Sequence, residues 1–173
     1  MRSAAKEIQS QESNIDCLVC NAGVLLNEKQ MTCEGNESTI ASHLIGGSYL
    51  LTKLLLPQLK AVSSTSSSNN DVSRVIYVTS GGMLLTKFPS WDIATTQSPN
   101  AKYDGTMAYA YAKRGQVLLA EEMTKLCPEI KFVSVHPGKQ VSLRSFYFRT
   151  CVVTFPGYKL VLFVSLMSSY LPL

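Results

Sequence analysis

The chain has 173 residues, 46% of them hydrophobic and 16% charged, with a formal net charge of +4. That length holds one domain with a real core, and that composition excludes a disordered chain. Lysines and arginines are scattered, without a basic stripe or interleaved aromatics, which argues against nucleic acid as a partner.

The opening stretch, Met1-Arg2-Ser3-Ala4-Ala5-Lys6-Glu7, lacks the apolar core of a signal peptide. Residues 2–10 read as the end of an amphipathic helix. Ile15 to Cys20 is the first predicted strand, ending in Asn21-Ala22-Gly23. Cys17 and Cys20 form a C-x-x-C inside it, but residues three apart on a strand point to opposite faces. They read as small buried residues, not as a redox or zinc pair, and no metal site is expected. Five irregularly spaced cysteines fit a reducing compartment, so a cytoplasmic location is expected.

A loop follows, with Asn27-Glu28-Lys29-Gln30. From about Glu37 to Lys60 the pattern predicts a long helix carrying Ile40, Leu44, Leu50, Leu51, Leu54, Leu55 and Leu59. Its stripe is wide enough to be buried on more than one side. Ser63 to Asn70 is a polar, low-complexity loop. The second strand is Arg74 to Thr79 and stops at Ser80-Gly81-Gly82. Residues 83–105 hold Pro89, Trp91, Pro99 and Gly105 and predict an irregular connection over a site. Met107 to Lys125 is the next helix, with Val117, Leu118 and Leu119 expected on its buried side. Ile130 to Val135 is a third short strand.

Strands that end in small polar residues and alternate with helices predict a parallel α/β sheet. Ligands bind beyond the carboxyl ends of such strands. Asn21, Ser80, Tyr109 and Lys113 are expected to converge there. Tyr109 and Lys113 lie i, i+4 on one helix face. A phenol is a poor acid or base at neutral pH, and a fixed ammonium nearby favours its phenolate. The pair is a candidate proton-transfer unit. Alone it is a weak signal; its plain reading is an exposed Tyr and a solvated Lys. Ser80 and Asn21 read equally as turn residues, and Tyr111 as packing.

Four pieces in this order resemble the short-chain dehydrogenase/reductase superfamily. They are Asn21-Ala22-Gly23, Ser80 in Val78-Thr79-Ser80, Tyr109-x-x-x-Lys113, and Pro137-Gly138 in Val135-His136-Pro137-Gly138. The resemblance covers roughly residues 1–139. It implies an NAD(P)-dependent oxidoreductase acting on a small carbonyl or alcohol. Ser80, Tyr109 and Lys113 would be catalytic. Asn21, Ala22, Gly23, Tyr109, Lys113, Pro137 and Gly138 would lie against the cofactor. It also implies a dimer, with itself or with a relative, through the long helices.

The sequence departs from that pattern in three places. The family has an Asn in the helix over Ala41–Gly47; here there is none, and one residue more. His43 reads either as its substitute or as a satisfied helix histidine. No Gly-rich turn precedes Asn21, so the fold expected is a partial Rossmann-like, doubly wound parallel sheet lacking its first strands. Such a chain is expected to bind NAD(P)H very weakly, with dissociation constants of about millimolar or worse. The alternative reading is a shortened, non-enzymatic isoform that pairs with a full-length relative. Residues 140–173 form a divergent apolar tail, of which 146–173 are expected to pack poorly on the domain. Its longest charge-free stretch, Leu160 to Leu173, is 14 residues. That is short of the roughly 20 a membrane span needs and suits a buried or membrane-surface segment.

Overall fold

The computed structural model describes residues 1–65, 72–96, 102–136, 151–155 and 158–163, the last two as backbone only. Strands β1 (Cys17–Cys20), β2 (Arg74–Val78) and β3 (Lys131–Val135) pair in parallel. Leu18 lies beside Val75, and Val75 beside Phe132. Burial alternates along β1 and β2, as the two-residue period of a strand requires. Leu18, Cys20, Val75 and Tyr77 are the inward set.

Helices α1 (Arg2–Gln11), α3 (Leu51–Thr65) and α5 (Gly105–Leu126) share one core with that set. Leu51, Leu55 and Leu59 recur every four residues and are all fully buried, so α3 presents one apolar stripe. Tyr77 is buried beneath it. Its hydroxyl lies 3.1 Å from Thr52 Oγ1, which answers the need of a buried polar group for a partner. Its ring stacks on Phe132. This is the parallel, Rossmann-like α/β arrangement that the strand and helix pattern predicts.

The long helix predicted over 37–60 is not uniform. It starts as α2 (Ser38–Ile40), widens into a π-helix over Ala41–Leu50, and resumes as α3. A π-helix bonds five residues back, not four, and so absorbs an inserted residue. The residue expected as a surplus in 41–47 falls inside it. Ser48 Oγ donates to His43 O at 2.7 Å, and Gln116 Nε2 of α5 donates to Ser48 Oγ at 2.9 Å. Ser48 and Gln116 are both fully buried. This chain of bonds ties the widened turn to α5.

Helix α5 also differs from expectation. Val117, Leu118 and Leu119 are only half-buried, while Ala108, Ala112, Lys113, Gln116, Ala120 and Met123 go deepest. Small residues let the helix backbone approach its neighbours closely. A Cβ on Gly115 would press on Leu44 and Phe88. The larger leucines are left to line an outer hollow.

The tail differs too. Backbone of β5 (Tyr158–Phe163) pairs in parallel with β1, and β4 (Cys151–Phe155) pairs antiparallel with β5. The sheet order is β3-β2-β1-β5-β4. The edge of β1 that the sequence left open is therefore hydrogen-bonded, the usual way of covering unpaired strand groups. Among the described residues, no helix is long and apolar enough to cross a membrane.

Candidate active site

The site is built where β1 and β2 end and α5 passes over them. After Val78, Thr79 continues the ladder, its N–H donating to Val135 O at 2.8 Å. Thr79 Oγ1 turns the other way and donates to Lys113 O at 2.8 Å. Ser80 caps a 3-10 turn over Gly81–Leu84, its Oγ accepting from Gly82 N–H at 3.2 Å. A Cβ on Gly82 would sit 3.4 Å from Ala110 Cα, so this turn lies directly against α5. At Gly105 a Cβ would collide with Leu26 O, which is why α5 starts on a glycine behind its Asp104 cap.

Lys113 is 3% exposed. Its Nζ donates to Val78 O at 2.7 Å and lies 5.4 Å from the centre of the Tyr109 ring. Among the described residues no carboxylate pairs with it. Burial pushes its pKa down to about 8, because an ammonium stripped of water loses its charge more readily. Tyr109 is half-buried one turn earlier. The i, i+4 spacing places the Lys113 ammonium over the Tyr109 ring.

His43 closes the other side. It is 2% exposed, and its ring meets that of Tyr109 edge to face, with centroids 5.3 Å apart. Burial first, and the charge of Lys113 second, push its pKa down to about 3, against the raising effect of its bond to Val24. The imidazole is neutral, and Lys113 is the cation beside Tyr109. Asn21, Ala22 and Gly23 follow β1, all half-buried, and Gly23 lies against the His43 ring. His136 reaches the Gly81 side of the same turn. Pro137 and Gly138 lie outside the described residues. Tyr111 packs with Ile40, Ala94 and Ala112, in keeping with a packing role.

Comparison with known proteins bears on this arrangement. No protein-family model matches the chain. Dehydrogenase/reductase SDR family member 12 of Homo sapiens is 38% identical over 128 residues. This chain is a relative of the short-chain dehydrogenases/reductases. The match covers 74% of the chain and 37% of that relative. Among solved structures, an uncharacterized protein of Mycobacterium paratuberculosis superposes with a TM-score of 0.62 at 23% identity. It covers 81% of this chain and 48% of the other. RhlG of Pseudomonas aeruginosa, in its NADP active-site complex, gives 0.56 at 21% identity over 80% and 48%. At such identities the structures speak for the fold alone. The chain spans about a third of the human relative and about half of each structure.

One residue of this dehydrogenase/reductase relative escaped the sequence reading. Glu37 is fully buried, although it is a carboxylate. It accepts from Thr39 N–H and Ile40 N–H at 2.9 Å each and from the Tyr103 hydroxyl at 3.0 Å. Its own N–H donates to Thr95 O. Burial, together with the charge of Glu37, pushes the Tyr103 pKa up to about 12. Glu37 thus pins α4 (Trp91–Thr96) and the approach to α5 onto the start of the helix that carries His43. The available signal was an acceptor directly ahead of an apolar helix, but Ser, Thr, Asp and Asn are the usual caps. Glu37→Gln replaces one of two acceptor oxygens with a donor. We expect it to lower unfolding free energy by about 2–3 kcal/mol in urea titration. A change below about 0.5 kcal/mol, the level of an ordinary surface substitution, would contradict this role.

Proposed function

We propose that this chain carries the acid–base half of an NAD(P)-dependent oxidoreductase site acting on a carbonyl or alcohol. The observation that carries the reading is the buried Lys113 ammonium beside the Tyr109 ring at the end of β2. In this reading Ser80, Tyr109 and Lys113 are catalytic. Asn21, Ala22 and Gly23, with Pro137 and Gly138, border the nicotinamide.

The described residues fit the nicotinamide end of such a cofactor. Lys113 uses one N–H on Val78 O and keeps two more as donors for ribose hydroxyls. No glycine precedes Gly23 in these 173 residues, so a Gly-rich pyrophosphate cradle ahead of β1 is not among them. The cofactor, when bound, supplies or accepts the hydride.

The chain's own residues handle the proton. Ser80 Oγ accepts from Gly82 N–H, which leaves its O–H as a donor to the substrate oxygen. As the carbonyl carbon gains hydride, the Tyr109 hydroxyl passes its proton to that oxygen and is left as phenolate. The buried Lys113 ammonium stabilises that charge. With a pKa of about 8, Lys113 is still mostly charged at neutral pH. Oxidation of an alcohol runs the same steps backwards.

A second reading, pairing with another dehydrogenase/reductase chain, is favoured by one surface. Leu44, Ile45, Tyr49, Phe88, Trp91 and Leu118 line an apolar hollow of about 430 Å³ between the π-helix and α5. Tyr49 and Trp91 are exposed in it, as aromatic residues at interfaces often are before assembly. In sedimentation velocity the chain should run as a dimer, and Leu118→Glu as a monomer. A monomeric wild type at tens of micromolar, roughly the range where weak dimers form, would count against pairing with itself.

The enzymatic reading is tested with purified chain, NADH or NADPH, and a panel of aldehydes. Tyr109→Phe removes the transferable proton and should lower turnover about 10²–10⁴-fold, with Lys113→Ala close behind. Retention of most activity in Tyr109→Phe would overturn the assignment. Complete absence of turnover in the wild type would favour the pairing reading.

A further inference from the structure

Three observations meet at His43. Its Nε2 lies 2.8 Å from both the N–H and the carbonyl of Val24, so either tautomer makes one bond to that backbone. Its ring stands edge to face against Tyr109, at an interplanar angle of 88°. Its Nδ1 is buried and has no partner among the described residues. A buried nitrogen without a partner costs free energy, so an imidazole held this way needs some return for its presence.

The surroundings are shaped for the ring. A Cβ on Gly23 would fall on its atoms, so residue 23 must be small. The backbone behind is held as well: His43 O accepts from Ser48 Oγ, which Gln116 of α5 holds in turn. His43 is thereby fixed to the end of β1 in front and to α5 behind. The π-helix makes this possible. A turn closed five residues back rotates the following positions relative to an α-helix, which sets which side chains face inward.

We propose that His43 is a positioning residue for Tyr109: its ring, seated against Gly23 and packed on the Tyr109 ring, limits the swing of the Tyr109 side chain about its Cα–Cβ bond and so sets where its hydroxyl lies. This rests on the proton-transfer role proposed for Tyr109. The ionisable groups facing His43 are Lys113 and Tyr109. A neutral imidazole adds no second cation beside the phenol. It offers a flat, rigid ring where a flexible side chain would leave Tyr109 free to swing.

The test uses the full chain with ¹³C-labelled tyrosine, the Tyr109 signals being identified by their loss in Tyr109→Phe. His43→Ala should shift the Tyr109 ring signals and average its Cα–Cβ torsion, read from three-bond couplings. His43→Phe keeps a ring but no nitrogen. It should preserve those signals while the Val24 amide exchanges roughly tenfold faster, as a lost local hydrogen bond requires. Gly23→Ala leaves His43 in the chain but displaces its ring, and should shift Tyr109 as His43→Ala does. This variant keeps the test open if His43→Ala fails to fold. Tyr109 signals unchanged in a folded His43→Ala or Gly23→Ala would overturn the proposal. Where turnover is measurable, His43→Ala should lower kcat with KM little changed, and His43→Phe should recover most of it. A wild type without turnover would weigh against the oxidoreductase reading alone, and the ring signals would still decide the role of His43.

Discussion

A lysine ammonium without a carboxylate partner among the described residues sits under the end of the sheet, bonded to the carbonyl of Val78. Taking such a group out of water costs several kcal/mol, so its place must be held by everything around it. Lys113 O accepts from Thr79, and the Thr79 N–H donates to Val135 O. One residue pair thus joins α5, β2 and β3. The helix can come this close because Ala108, Ala110 and Ala112 offer only methyl groups, and Gly82 offers none. Larger residues there would lift α5 off the strand ends and let water reach the ammonium.

Burial of that ammonium produces a simple electrostatic site. Tyr109 stands one turn from Lys113, and its other neighbour, His43, is neutral. The charge that would stabilise a phenolate therefore comes from one direction. Opposite walls are set by different devices. Hydrogen bonds from Ser48 and Gln116 hold the π-helix, and a buried carboxylate at Glu37 anchors the segments leading into α4 and α5. The apolar core beneath, with Leu55, Leu59 and Tyr77, supplies the rigid base.

Much of this was legible in the sequence because it depends on local spacing. The period of the strands, the small residues at their ends and the four-residue step from Tyr109 to Lys113 all lie within a few positions of one another. Elements that depend on distant partners were not legible. Glu37 meets Tyr103 across 66 positions and Gln116 meets Ser48 across 68. A surplus residue was expected in 41–47, but whether that stretch forms a loop, a kink or a π-helix depends on what α5 bonds to it. Val117, Leu118 and Leu119 look like core by hydropathy. They are half-buried because the alanines on the other face win the close approach. The tail showed apolar content without a partner, and the backbone of β5 pairs with β1, far away in sequence.

Lys113 is a buried cation without a carboxylate partner among the described residues, and its charge lies over the Tyr109 ring. Titration of its side-chain nitrogen by NMR, in ¹⁵N-lysine-labelled chain with Lys113→Met for assignment, measures this directly. An apparent pKa of about 8 is expected for the buried ammonium. A value near the ordinary 10.5 would show a solvated lysine and contradict it.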